Sequence, residues 1–217
     1  MATGRIGLWL IGAKGGVATT VMTGLAAMKR GLVEPIGLIT ETSAFHPLNL
    51  AHCSDIVVGG HDIRDEGLLN EARRMWTVSR AISPDILESV TPDLLDIETR
   101  LRPGTVLAAG KSIQAIASSP ESKKGTTPRN VIDQIREDIV DFADTNDVDR
   151  IIVVNLASTE PPWSLPIPND FDELSPLLEK STDSSPLPTS SLYAIAAFEA
   201  NAAYINFTPS TGATPPA

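Results

Sequence analysis

A glycine-rich turn near the N-terminus is the first feature of the sequence whose residues could do chemistry. It joins an apolar run at 5–11 to a segment with helical spacing of apolar residues, and it reads Gly12-Ala13-Lys14-Gly15-Gly16. Glycines at such a junction permit a tight turn, and they let backbone N–H groups approach a phosphate at the N-terminus of the helix that follows. The turn therefore predicts a phosphate-bearing ligand, bound by Gly12, Ala13, Gly15 and Gly16.

Three interpretations of this turn stay open on its residues alone. A dinucleotide-binding turn has the pattern G-x-G-x-x-G and an acid about 20 residues later, whereas here Lys14 takes the middle position and Glu41 comes somewhat late. A variant P-loop ATPase would place a glycine and a lysine where this chain has Ala18 and Thr19, so the cation that holds the β- and γ-phosphates is missing. The third interpretation is a structural turn that binds nothing. The pattern favours the dinucleotide over the ATPase.

Short apolar runs alternate with helical periods around this turn and must position it. They predict strands at 5–11, 36–41, 55–59, 104–109, 149–155 and 203–207. They predict helices from 17 to 28, across 65–100 with interruptions at Pro84 and Pro92, from Pro128 to Phe142, at 170–180 and from 190 to 203. This alternation is typical of an α/β fold with a doubly wound, Rossmann-type parallel sheet, which binds ligands at the carboxyl ends of its strands.

The same pattern predicts three segments along the chain. Residues 1–160 carry the alternating elements of a Rossmann-like nucleotide-binding domain. Residues 161–189 are rich in Pro and Ser and predict a surface excursion, and 190–217 predict a helix followed by a strand.

Composition narrows the class of protein. The chain has 217 residues, a net charge of −10, and 42% hydrophobic residues, which is enough to form a sizeable core. The acidic balance argues against nucleic-acid binding, and no apolar stretch is long enough to span a membrane. One cysteine leaves no disulfide framework, and the histidine spacing fits no metal site. We expect a soluble, cytoplasmic protein without a bound metal.

Three further segments match motifs of one family. The segments are 55–63 (DIVVGGHDI), 153–160 (VVNLASTE) and 190–209, which begins with Ser190 and ends in YINFTP. Together with the glycine turn, and in the same order, they resemble the inositol-1-phosphate (inositol-3-phosphate) synthase family. The resemblance implies an NAD-dependent intramolecular isomerisation of glucose 6-phosphate to an inositol phosphate, by oxidation, aldol cyclisation and reduction. It also implies a homo-oligomer, a tetramer in that family.

The resemblance assigns roles to single residues. The glycines of the turn would shape it against the pyrophosphate, Asp62 would bind the adenosine ribose and Ile63 would pack on the adenine. Glu41 then becomes the weaker ribose candidate. The nicotinamide half of the site is expected to be formed by Asn155, Ser158 and Thr159. Ser190 matches a serine before the following helix and is expected to bind the cofactor as well. The substrate site is expected to include Asn206 and Thr208.

The chain also departs from the family. Phe207 replaces a usual glycine, and Ser210-Thr211 stand where many members have Gln-Asn. Members continue beyond this region into a tetramerisation segment and a stretch with the catalytic lysines. The resemblance therefore implies the N-terminal, NAD-binding part of the fold, with an incomplete sheet and little activity of the 217 residues alone.

Two further expectations concern polar residues outside these motifs. His61 is expected to line the adenosine pocket. Asp138, Asp141 and Asp144 follow helical spacing, which is typical of a solvated helix face.

Overall fold

The core of the fold is a parallel sheet at the centre of a computed structural model that describes residues 4–118, 126–180 and 185–216. Within these ranges the sheet has five strands in the order β3-β2-β1-β4-β5. They are β1 (Ile6–Ile11), β2 (Ile56–Asp62), β3 (Leu101–Pro103), β4 (Arg150–Asn155) and β5 (Ala203–Asn206). The strand order reverses between β1 and β4, which are parallel neighbours. The predicted doubly wound, Rossmann-type α/β fold is confirmed.

Helices cover both faces of the sheet. The helices are α1 (Gly16–Lys29), α2 (Leu68–Ser79), α3 (Pro84–Glu98), α4 (Lys111–Ile116), α5 (Pro128–Thr145), α6 (Phe171–Leu178) and α7 (Thr189–Glu199). Successive residues of a strand point to opposite faces, so Trp9 packs with the apolar residues of α5, α6 and α7 while Leu10 packs with those of α1, α2 and α3. In the described part of the chain, no helix is long and apolar enough to cross a membrane.

The sequence signals of the helices are confirmed in α5 and only in part in α1. In α5, Pro128 occupies the first turn and the predicted stripe from Ile132 to Phe142 is buried. In α1, Val17 and Val21 are 55% and 41% exposed, although their spacing predicts a buried stripe. The helix is rotated so that a face made mostly of small residues is buried. The buried face comprises Ala18, Thr19, Met22, Thr23, Leu25, Ala26 and Ala27.

The strand predicted at 36–41 is wrong. The amide of Leu38 donates to the carbonyl of Pro35, Gly37 has φ +90°, and a short 3-10 helix follows at Ile39–Glu41. A positive φ takes the backbone out of the extended region. The place beside β1 is occupied by β2 instead, so this apolar run has no strand to pair with. Glu41 consequently lies exposed at the end of this 3-10 helix and not at a strand end.

The strand predicted at 104–109 is also wrong, because pairing with β2 takes place three residues earlier. β3 covers Leu101–Pro103, and the amide of Gly104 donates to the carbonyl of Asp62 as the last bond between the two segments. Beyond it, Ala108 has φ +61° and the amide of Ala109 donates to the carbonyl of Val106. These residues form a turn that comes to lie beside the carboxyl end of the sheet.

Glycines in the central strands make room for aromatic rings. An added Cβ at Gly59 would lie 2.8 Å from a ring carbon of Phe142 and 2.9 Å from one of Trp9. Both rings are buried, and their centroids lie 5.1 Å apart. Neither ring can move without disturbing the core, so Gly59 is required here for space.

This contact predicts the effect of a single methyl group. Gly59→Ala should lower the free energy of unfolding by about 1–3 kcal/mol, because the methyl would overlap the buried rings of Trp9 and Phe142. Gly24→Ala is the matched control, since nothing lies within 4 Å of its added Cβ and alanine favours the helix. Urea unfolding measures both variants, and equal stability of the two would contradict the packing argument.

Candidate functional site

A cavity of about 190 Å³ opens at the carboxyl ends of β1, β2 and β4. It lies where the strand order reverses between β1 and β4, which is the position at which a doubly wound sheet binds its ligand. Residues from the ends of all three strands line it, together with residues that begin α7. The fold therefore places the cavity where the sequence pattern predicts a nucleotide.

The glycine turn forms one wall of this cavity. The amides of Gly12 and Ala13 donate to the carbonyl of His61 at 2.9 and 3.0 Å, which ties the turn to the end of β2. Gly12 has φ +79°, and an added Cβ would lie 2.9 Å from Cα of Ala157. Gly15 also lines the cavity and immediately precedes α1, so that helix begins at the cavity wall. Free N–H groups at a helix N-terminus favour a bound anion.

Asp62 is the last residue of β2 and is almost buried at 7% exposure. One oxygen of its carboxylate accepts from the amide of Lys14 at 2.7 Å. The other accepts from the amide and from Nε of Arg64, at 2.9 and 3.2 Å. The carboxylate is thus held rigidly between the glycine turn and the loop that follows β2, at the edge of the cavity.

His61 is held by two partners at the base of the cavity. Nε1 of Trp9 donates to Nδ1 of the imidazole at 3.2 Å, so the ring proton is on Nε2, which lies 2.9 Å from a carboxylate oxygen of Asp138. His61 lines the cavity, and that it lies beside adenosine stays a prediction. The interpretation of Asp138 as part of a solvated face is wrong, because its side chain is 18% exposed and bonded to His61. Its position beside the apolar stripe of α5 is the signal that could have identified it.

On the side of β4, amide and hydroxyl groups form a connected network. Asn155 accepts from the amide of Ala157 and donates to the side-chain oxygen of Asn206, both at 3.2 Å. The hydroxyl of Thr208 donates to the same oxygen of Asn206 at 2.8 Å. The side-chain amide of Asn206 donates to the backbone carbonyl of Ser210 at 2.7 Å. These bonds fix the segment after β5 against the end of β4.

The structure brings most of the predicted binding residues to this cavity. Those that line it are Gly12, Gly15, Asp62, Ile63, Asn155, Ser158 and Ser190. The others are close in sequence to a lining residue or bonded to one, but they do not form the wall: Ala13, Gly16, Thr159, Asn206 and Thr208.

Glu160 is a site residue that the sequence argument missed. Its carboxylate accepts from the amide of Ser190 at 2.8 Å and from the hydroxyl of Ser190 through its second oxygen. That hydroxyl in turn accepts from the amide of Gly212 at 2.9 Å, and the amide of Glu160 donates to the hydroxyl of Ser210 at 3.0 Å. Pro188, which precedes α7, supplies no side-chain cap. Glu160 therefore caps α7 from 30 residues away and connects it to the segment after β5.

Tyr193 and Arg64 also line the cavity without having been predicted. Tyr193 is buried, its ring lies 5.6 Å from that of His61, and its oxygen accepts from the amide of Thr105 at 3.4 Å. Burial raises the pKa of the Tyr193 hydroxyl well above its ordinary value, so the hydroxyl keeps its proton. Arg64 follows the matched motif by one residue, and that adjacency was its only signal in the sequence.

A parallel sheet in this order, with a glycine turn between β1 and α1 and an acid at the end of β2, defines a dinucleotide-binding protein of the Rossmann class. The family can be stated as well. The model of the myo-inositol-1-phosphate synthase family, for its NAD-binding domain, matches residues 6–217, and the chain belongs to that family. The ATPase interpretation is thereby rejected, and Thr19, at the position of the P-loop lysine, is fully buried.

Individual relatives agree with this assignment. Inositol-3-phosphate synthase 1 of Bacteroides thetaiotaomicron is 28% identical over 229 residues, which cover 100% of this chain and 51% of the relative. Inositol-3-phosphate synthase of Dictyostelium discoideum is 27% identical, covering 94% of this chain and 44% of the relative. The chain spans about half the length of the curated relatives it matches.

Solved structures show the same fold. The crystal structure of inositol-3-phosphate synthase from Caenorhabditis elegans superposes with a TM-score of 0.74 at 20% identity, covering 96% of this chain and 45% of that one. A myo-inositol-1-phosphate synthase-related protein from Thermotoga maritima gives a TM-score of 0.61 at 20% identity, covering 95% and 48% of the two chains.

The contacts of Glu160 predict its effect on stability. Glu160→Ala should lower the free energy of unfolding by about 1–3 kcal/mol, because it removes a charged acceptor from the amide and hydroxyl of Ser190. Glu160→Gln should lose less, since its amide oxygen can still accept from the amide of Ser190. Urea unfolding measures both, and an alanine variant as stable as the parent would show that the cap contributes nothing.

Proposed function

We propose that this chain supplies the NAD-binding half of an enzyme that isomerises glucose 6-phosphate to an inositol phosphate by oxidation, aldol cyclisation and reduction. The observation that carries the proposal is the cavity between β1 and β4, which has the glycine turn on one wall and Asp62 at its edge. NAD, when bound, would supply the hydride acceptor for the oxidation and the hydride donor for the reduction. The residues of this chain would bind and orient it.

The adenosine half of NAD fits the side of β1 and β2. Gly12 and Gly15 would lie against the pyrophosphate, because a side chain is excluded at Gly12 and α1 begins beside it. Asp62, whose orientation is fixed by the amides of Lys14 and Arg64, would accept a hydrogen bond from the ribose. Apolar side chains would enclose the adenine, namely those of Ile63, Ala109, Ile113 and Ile116.

The nicotinamide half is proposed to lie on the side of β4. Asn155 and Ser158 line the cavity there and would contact it directly, with Thr159 next along the chain. Ser190 uses its hydroxyl for Glu160 and Gly212, so we assign it the placement of α7. Asn206 and Thr208 are proposed to serve the sugar phosphate through the segment they hold after β5.

The small number of cations in the cavity suggests that this chain alone does not supply all the groups that the proposed reaction needs. Among the described residues that line it, Arg64 is the one cation. Oxidation and aldol closure place negative charge on an alkoxide and an enolate, which cationic groups stabilise. We therefore propose that further cations come from a region like the one that the longer relatives have in addition to the half matched by this chain. The proposal includes the homo-oligomer, a tetramer, that the resemblance implies, and a cytoplasmic location, which the single cysteine favours.

Binding of NAD is the first test. The chain should bind NAD⁺ in isothermal titration calorimetry, and Gly12→Ala should weaken binding by about tenfold or more, since the methyl would force the turn away from Ala157. Gly37→Ala is the matched control, because Gly37 also has a positive φ, +90°, but nothing lies within 4 Å of its added Cβ. A folded chain without affinity for NAD⁺ would favour a non-catalytic remnant of the family.

Turnover is the second test. The 217-residue chain, incubated with NAD⁺ and glucose 6-phosphate, should form no inositol phosphate above background, because the cavity has too few cations to stabilise the enolate. Chromatography of the products measures this, with the Bacteroides thetaiotaomicron relative as positive control. Formation of product at the rate of that relative would show that this chain holds the complete catalytic machinery.

A further inference from the structure

A second cavity adjoins the cavity between β1 and β4 at Asp62. It has a volume of about 200 Å³ and opens to solvent, and Asp62 and Arg64 belong to the walls of both cavities. Three cationic side chains line it, those of Lys14, Arg64 and Arg102. The acids that line it are Asp62, Asp65 and Glu98.

The acids of this cavity are largely occupied by protein donors. Asp62 accepts from two amides and from Nε of Arg64, as described above. Glu98 accepts from the amide of Leu68 at 3.0 Å and so caps α2. Asp65 alone among the three has its carboxylate free of such bonds within the described ranges.

The cations, by contrast, keep donors available. Arg64 uses its amide and Nε for Asp62, and its two terminal nitrogens have no partner among the described residues, while its side chain is 25% exposed. Lys14 donates from its ammonium group to the carbonyl of Arg64 at 3.0 Å, which leaves two of its three N–H groups. A guanidinium and an ammonium group therefore lie together beside the carboxylate at the end of β2.

We propose that this second cavity is a subsite for the 2′-phosphate of a dinucleotide, so that the chain binds NADP(H) as well as NAD(H). The inference rests on the proposed dinucleotide site, in which Asp62 marks the position of the ribose hydroxyls. A phosphate on the 2′-oxygen would pass beyond Asp62 into the second cavity. There Arg64 would bind it through its terminal nitrogens, as an arginine near the end of β2 does in NADP-binding proteins.

The negative charge of Asp62 does not prevent a 2′-phosphate from binding in the second cavity. In an NAD-specific site the acid repels a 2′-phosphate because its charge faces the ribose unpaired. Here its side chain is only 4% exposed and is paired with the guanidinium group of Arg64. Among the described residues that line the second cavity, three cations offset three acids, Asp65 included, and the two terminal nitrogens of Arg64 would be free to bind the phosphate.

The experiment compares ligands that differ only in the 2′-phosphate. Calorimetry with NAD⁺ and NADP⁺, and with 5′-AMP and adenosine 2′,5′-bisphosphate, should give dissociation constants within about tenfold of each other in each pair. Arg64→Gln should weaken the 2′-phosphorylated ligands by about tenfold more than it weakens the ligands without the 2′-phosphate, because Arg64 also holds Asp62 in the wall that both kinds of ligand would share. Arg64→Lys should give an intermediate loss, since lysine keeps the charge without the paired donors.

Arg150→Gln is the matched control, because Arg150 is exposed at the start of β4, at the amino ends of the strands, and lines neither cavity. This variant should leave the dissociation constants of NAD⁺ and NADP⁺ unchanged. The subsite is overturned if NADP⁺ binds more than about a hundredfold more weakly than NAD⁺, or if Arg64→Gln weakens both dinucleotides equally. Failure of both dinucleotides to bind would overturn the dinucleotide site itself, and thermal unfolding of each variant shows whether it is folded.

Discussion

The close approach of three strand ends at Gly12 is the constraint on which the rest of the site depends. The turn after β1 is tied to the end of β2 through the carbonyl of His61, and it contacts the backbone after β4 at Ala157. A side chain at Gly12 would separate these segments. Because they converge, a helix N-terminus, a fixed carboxylate and an apolar wall surround one cavity, although they come from distant parts of the chain.

The second half of the site depends on a polar network that returns from the end of the chain. Glu160 holds the start of α7, and Asn155 holds Asn206 across the pairing of β4 with β5. Few of these groups are exposed, so each bond replaces a bond to water that is no longer available, and loss of one partner leaves the other unsatisfied. The side of the cavity beside β4 is therefore shaped by charge and hydrogen bonding, whereas the side beside β1 and β2 is shaped mainly by the glycine turn and by packing.

Some of these elements can be predicted from the sequence, and others cannot. β1, α5 and the glycine turn were predictable, because an apolar run, a stripe at helical spacing and a glycine-rich junction are local patterns. The runs at 36–41 and 104–109 have equally good local patterns. A run forms a strand only where it can pair with a neighbouring strand, however, and β2 pairs with β1 on one side and with Leu101–Pro103 on the other. Asp138 and Glu160 were misjudged or missed for the same reason, since their partners lie 77 and 30 residues away.

The two bonds of His61 have a consequence for the shape of the cavity. Its Nδ1 is occupied as an acceptor by the indole of Trp9, and its Nε2 is occupied as a donor by Asp138. A rotation of the ring about its bond to Cβ would break both hydrogen bonds at once, and each partner would then lose its bond inside the protein. His61 therefore contributes a wall of fixed shape to the cavity, held in place from β1 on one side and from α5 on the other.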